Sequence, residues 1–91
     1  MAGANEGNTV SRYDPKDYAA NPGKYRLFRT ARVATNMFTH DGVNDLRVGE
    51  HVAIEYRLSA LNKLYRREEP VYTIVGKDCD LYANALCDFC L

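Results

Sequence analysis

Leu46-Arg47-Val48-Gly49-Glu50-His51-Val52-Ala53-Ile54-Glu55-Tyr56-Arg57-Leu58 is the stretch that decides the fold class. Val52, Ile54, Tyr56 and Leu58 alternate with Ala53, Glu55 and Arg57. Such a period of two places one set on the buried face of a strand and the other in water. Gly49 ahead of them supplies the permissive backbone of a turn. The reading is a half-buried strand launched from a glycine turn, and so a small β-rich domain.

Working outward, Lys24 to Asn36 reads as a second strand with Tyr25, Leu27, Ala31 and Val33 inward, and a bulge at Phe28 absorbs the misfit of Arg29. His40-Asp41-Gly42 and Gly76-Lys77-Asp78 are turn signals. Val71 to Val75 is a β-branched strand that follows Pro70. Asp14-Pro15-Lys16-Asp17-Tyr18-Ala19-Ala20 has a capping aspartate and a proline suited to the first helical position, with Asn21-Pro22-Gly23 as its stop. Between Ser59 and Arg67 two readings stand. Leu58, Leu61, Leu64 and Tyr65 recur at helical steps, and a long hairpin loop is the alternative. Leu81, Ala83, Ala85, Cys87, Phe89 and Leu91 alternate as a C-terminal strand. That strand is either central or an edge open to pairing, and a helix burying Leu81, Ala85, Leu86 and Phe89 competes with it.

These elements predict a mainly β fold: a small SH3-like barrel or a strongly bent antiparallel sheet of four or five strands with one or two short helices. The order of turn, long strand, hairpin and closing strand resembles an SH3-type barrel over Tyr25 to Leu91. Residues 1–11, small and polar, are expected to be a disordered tail, and 12–91 a single domain. Ninety-one residues suffice for one modest core.

Charge narrows the function classes. Twelve basic and twelve acidic residues cancel, which excludes a strongly basic nucleic-acid binder and an acidic mimic. No apolar run approaches the roughly 18–20 residues of a membrane span. With no signal-like h-region and an odd set of three cysteines, the expectation is a soluble cytoplasmic chain with reduced thiols.

Motifs for chemistry are sparse. Cys87-Asp88-Phe89-Cys90 is a C-x-x-C, but zinc sites need four convergent ligands in short-spaced pairs. Only Cys79, His40 and His51 are at hand to complete one, so the thiols read as packing groups. No nucleophile elbow, phosphate loop or H-E-x-x-H is present. Neither an enzyme nor a cofactor is expected.

Two binding readings remain. Tyrosine-rich composition with Lys63, Tyr65, Arg66 and Arg67 on a protruding segment fits a protein-contact patch, since Tyr and Arg dominate interface hot spots. A homodimer through the C-terminal strand would extend that reading. The alternative is modest-affinity binding of RNA or single-stranded DNA by Lys24, Arg26, Arg29 and Arg32, interleaved with Tyr25 and Phe28. Finally, Val48-Gly49-Glu50, Arg66-Arg67-Glu68-Glu69-Pro70 and Leu81-Tyr82-Ala83-Asn84 in a short neutral chain resemble accessory proteins of phages and other mobile elements, including anti-CRISPR proteins. The resemblance implies an inhibitor that occupies the surface of a host defence complex, and it assigns no residues.

Overall fold

A computed structural model describes residues 9–91. Six strands form one antiparallel sheet: β1 (Thr9–Arg12), β2 (Thr30–Val33), β3 (His51–Asn62), β4 (Arg67–Ile74), β5 (Asp80–Tyr82) and β6 (Leu86–Cys90). Their spatial order is β1-β6-β2-β3-β4-β5. Helices α1 (Pro15–Ala20) and α2 (Pro22–Leu27) lie between β1 and β2, and a 3-10 turn at Ala83–Ala85 joins β5 to β6. Of the two expected architectures, the sheet is the strongly bent form. It does not close into a barrel, and β1 and β5 remain its edges.

The N-terminal helix forms as its residues dictate. Asp14 Oδ1 accepts the Lys16 N–H at 3.0 Å and Pro15 opens the first turn. Pro22 then does the same for α2 instead of acting only as a stop, because its fixed φ suits a first helical position. This corrects the strand expected over Lys24 to Asn36, of which only Thr30 to Val33 is extended. Tyr25 in α2 and Phe28 at its C-cap are both buried, whereas Leu27, the last helical residue, turns outward at 63% exposure. The bulge expected at Phe28 is found instead in β6. There Arg32 pairs with Cys87 and Thr30 with Cys90, and Asp88 takes a positive φ of 48°.

Gly49 adopts φ 88°, and its N–H meets the Val33 carbonyl at 2.8 Å, so the turn ahead of β3 is glycine-dependent as expected. β3 outruns its sequence reading, extending to Asn62 and pairing with β4 from Ile54↔Ile74 to Asn62↔Arg67. Ser59 to Arg67 is therefore neither a helix nor a long loop: it is the far end of a tight hairpin. Leu58, Leu61 and Leu64 have no core to cover, and cross-strand pairing prevails over their helical spacing. Pro70 lies inside β4 rather than before it.

The C-terminal run is not one strand, nor a helix. Ala83, fully buried and small, lets the chain turn a tight 3-10 corner, after which β6 inserts between β1 and β2. Both edges of β6 are thus filled within the chain by β1 and β2. Thr9 to Ser11, expected in the tail, belong to β1, and residues 1–8 lie outside the described part.

Tyrosines build much of the core. Tyr25 packs edge-on to Phe28, Phe28 against Phe89, Phe89 against Tyr72 and Tyr72 against Tyr56, with ring centroids 5.4–6.1 Å apart. Tyr13 and Tyr18 add to the Tyr25 end. The buried hydroxyls are matched: Tyr72 donates to the Tyr25 carbonyl at 2.7 Å and Tyr25 to Asp17 Oδ2 at 2.9 Å. Among the described residues no helix is long and apolar enough to cross a membrane.

Candidate functional site: the hairpin tip and a basic groove

The β3–β4 hairpin closes with a four-residue turn, Lys63 to Arg66. Arg66 takes φ 54°, the left-handed residue that lets the chain reverse. Asn62, itself buried, accepts the Leu64 N–H on its Oδ1 at 3.1 Å and fixes the first half of the turn. Below the turn Arg67 Nε lies 2.8 Å from Oε2 of Glu69, and the other Glu69 oxygen accepts the Asn84 N–H at 3.1 Å. Glu69 has no exposure, and a buried carboxylate persists only when countercharge and hydrogen bonds satisfy it. The Arg67 guanidinium also sits 4.8 Å from the Tyr65 ring centroid and 5.3 Å from that of Tyr13. Tyr82 donates to the Leu61 carbonyl and Tyr13 to that of Glu68.

The expected partner-binding residues therefore separate. Lys63, Tyr65 and Arg66 are exposed on the turn, while Arg67 is half-buried and serves as the pin beneath it. Leu61 and Leu64, which the helical reading placed inward, are 52% and 80% exposed. The tip overhangs an open groove of about 350 Å3 to which Thr35, Met37, Leu64, Tyr65, Tyr82 and Ala85 contribute. The missed signal was Asn62: an Asn followed by four residues between two strand-like runs marks a turn.

The four basic residues of the nucleic-acid reading do not form one row. Lys24 bonds Asp17 at 2.8 Å, and Arg32 reaches the Gly49 carbonyl at 3.2 Å and Asp88 at 3.6 Å. Arg26 lies over the Tyr56 ring, 5.4 Å from its centroid. Arg26 and Arg29 do share an open groove of about 510 Å3 with Leu27, Phe28, Tyr56 and Val75, and Glu55 also lines it. No hydrogen bond or ion pair among the described residues engages the Arg29 side chain.

Titrating groups sit mainly in structural roles. The hydrogen bond from Lys24, with one from Tyr25, holds the Asp17 carboxyl below its ordinary range despite some burial. Burial pushes the Cys79 thiol up. Cys79, Cys87 and Cys90 are half-buried free thiols, His40 and His51 are exposed, and no metal-binding cluster forms among the described residues.

Comparison with protein-family models, curated proteins and solved structures finds no match for this chain.

Proposed function

We propose that this chain is a non-enzymatic protein-binding module whose contact element is the β3–β4 hairpin tip. The observation that supports it is the pairing of a braced backbone with exposed anchors. Leu64 at 80% and Tyr65 at 46% exposure stand on a turn pinned by Asn62, Arg67 and Glu69. A rigid tip gives up little entropy on docking, and Tyr and Arg beside exposed leucines match hot-spot composition. Lys63 and Arg66 add positive charge at the rim, which steers approach to an acidic surface. The resemblance to mobile-element accessory proteins directs the search for that partner to host defence complexes in the cytoplasm, with the module acting as an inhibitor. The test is affinity capture from bacterial lysate, with and without nuclease, read by mass spectrometry. A stoichiometric protein that survives nuclease and is lost with Leu64→Ser and Tyr65→Ala supports the proposal; capture unchanged by both substitutions contradicts it.

A second reading keeps a specific observation of its own. Arg26, Arg29 and Tyr56 line one groove, a setting for a phosphate beside a stacked base of RNA or single-stranded DNA. Glu55 in the same groove and the ion-paired state of Lys24 weaken it.

A further inference from the structure

In a regular strand Cys87 and Cys90, three positions apart, would point to opposite faces. The bulge in β6 changes that. Cys87 stands opposite Arg32 and Cys90 opposite Thr30, so three steps along β6 match two along β2. Thr30 and Arg32 share a face of β2, with Ala31 and Val33 buried on the other. Directly opposite residues share that face with them, so both thiols lie on one side of the sheet. Leu86 and Phe89 are correspondingly buried on the core side. From the other neighbour, β1 sets Arg12 opposite Cys87 and Thr9 opposite Cys90. The extra residue is Asp88, which takes the positive φ and whose carboxylate lies 3.6 Å from Arg32 Nε. Cys87 and Cys90 are free and half-buried, and an open groove of about 240 Å3 runs past Cys90.

We propose that Cys87 and Cys90 together bind one copper(I) ion as a pair of thiolates. Soft thiolate sulfur favours such an ion. Spacing selects it over a disulfide: two strand steps set the Cβ atoms about 6.6 Å apart, whereas a disulfide needs about 3.5–4.5 Å. Two metal–sulfur bonds of about 2.3 Å in line bridge sulfurs about 4.6 Å apart, which the thiols reach by leaning together. Donor count selects it over zinc, which needs four ligands. The residues opposite the thiols are Arg12, Arg32, Thr9 and Thr30, and no group of three ligating side chains forms among the described residues. Charge fits as well. The two thiols release two protons to solvent as they bind the ion, and no electron is transferred. The resulting complex carries a single negative charge, and Arg12 and Arg32 flank it. The inference is independent of the partner proposed for the hairpin tip, because it uses β6 rather than Leu64 and Tyr65.

Anaerobic titration of the reduced full chain with copper(I), supplied by the chromogenic chelator bicinchoninate and kept reduced by ascorbate, tests it. The expected uptake is one ion per chain. Cys87→Ser and Cys90→Ser each lose it with circular dichroism unchanged, and Cys79→Ser keeps it. Arg12→Glu weakens it about tenfold by replacing a countercharge with a like charge. If a serine variant fails to fold, the wild-type chain decides alone: bound copper shields Cys87 and Cys90, but not Cys79, from iodoacetamide in peptide mapping. No uptake, uptake unchanged in either serine variant, or equal shielding of all three thiols overturns the proposal.

Discussion

Arg67 Nε lies 2.8 Å from Oε2 of Glu69, a carboxylate with no solvent exposure, directly beneath the exposed turn. The pair couples fold and site: the charge that must be buried in β4 is satisfied by the residue that stacks on Tyr65. Removing one partner of a buried ion pair leaves an uncompensated charge, at a cost of about 3 kcal/mol or more. Arg67→Ala should therefore lower unfolding free energy by about 3 kcal/mol in urea titration. Arg67→Ala with Glu69→Gln should lose less than Arg67→Ala alone, because no charge is then stranded.

Tyr72 and Tyr25 are 47 positions apart and joined by a 2.7 Å hydrogen bond in the core. Tyr72→Phe keeps the ring packing and removes only that bond, so the expected loss is about 1 kcal/mol. Tyr72→Ala empties a fully buried aromatic site and should cost about 3–5 kcal/mol. Thermal and urea unfolding of the two variants measure the difference.

Alkaline pH should unfold the chain through its tyrosines. Burial, the largest cause, lifts the Tyr13 hydroxyl from the ordinary 10.0 to about 12 and raises Tyr25 and Tyr72 as well. A raised folded-state pKa means the native chain keeps protons that the unfolded chain releases. Their contribution is complete below pH 10 and is lost as pH climbs above it toward the raised values. Tyrosinate absorbance should therefore rise in step with loss of circular dichroism. Asp17 carries the opposite sign: its lowered pKa stabilises above the ordinary 3.8 and fades as pH falls below it, and Asp17→Asn should flatten that acid limb.

Gly49 sits at φ 88° with open space where a Cβ would stand. Gly49→Ala meets no clash, so its cost is backbone strain alone, about 1–2 kcal/mol.

The strand that begins after Gly49 was legible because one of its faces meets the core, and burial imposes the period of two. Tyr25 and Phe28 misled in the segment before it, since both are buried and strand-like in composition although Tyr25 lies in α2 and Phe28 caps it; the Pro22 first-turn signal carried the distinction. The hairpin tip was half legible. Lys63, Tyr65 and Arg66 were singled out by residue type, but Leu64 was assigned to a buried face because a spacing of three or four looks the same whether or not a core stands opposite. Arg67 stood among the contact residues because nothing local reveals that Glu69, two positions on, is buried. The place of β6 between β1 and β2 depends on a pairing with Thr9 to Arg12 at the other end of the chain, which no local pattern encodes.

If the groove at Arg26 and Arg29 held single-stranded nucleic acid, two phosphate contacts would give a log–log salt slope of about −1.4. Fluorescence anisotropy with short oligonucleotides should instead show no binding at moderate salt, as expected when Glu55 shares the groove.

The most direct measurement places a photo-crosslinking amino acid at Leu64 and, separately, at Arg29, and irradiates each in bacterial lysate before and after nuclease treatment. The account predicts a discrete protein adduct from position 64, none from position 29, and loss of the adduct when unlabelled wild-type chain competes. Absence of an adduct at 64 with a nucleic-acid adduct at 29 before nuclease treatment would contradict it.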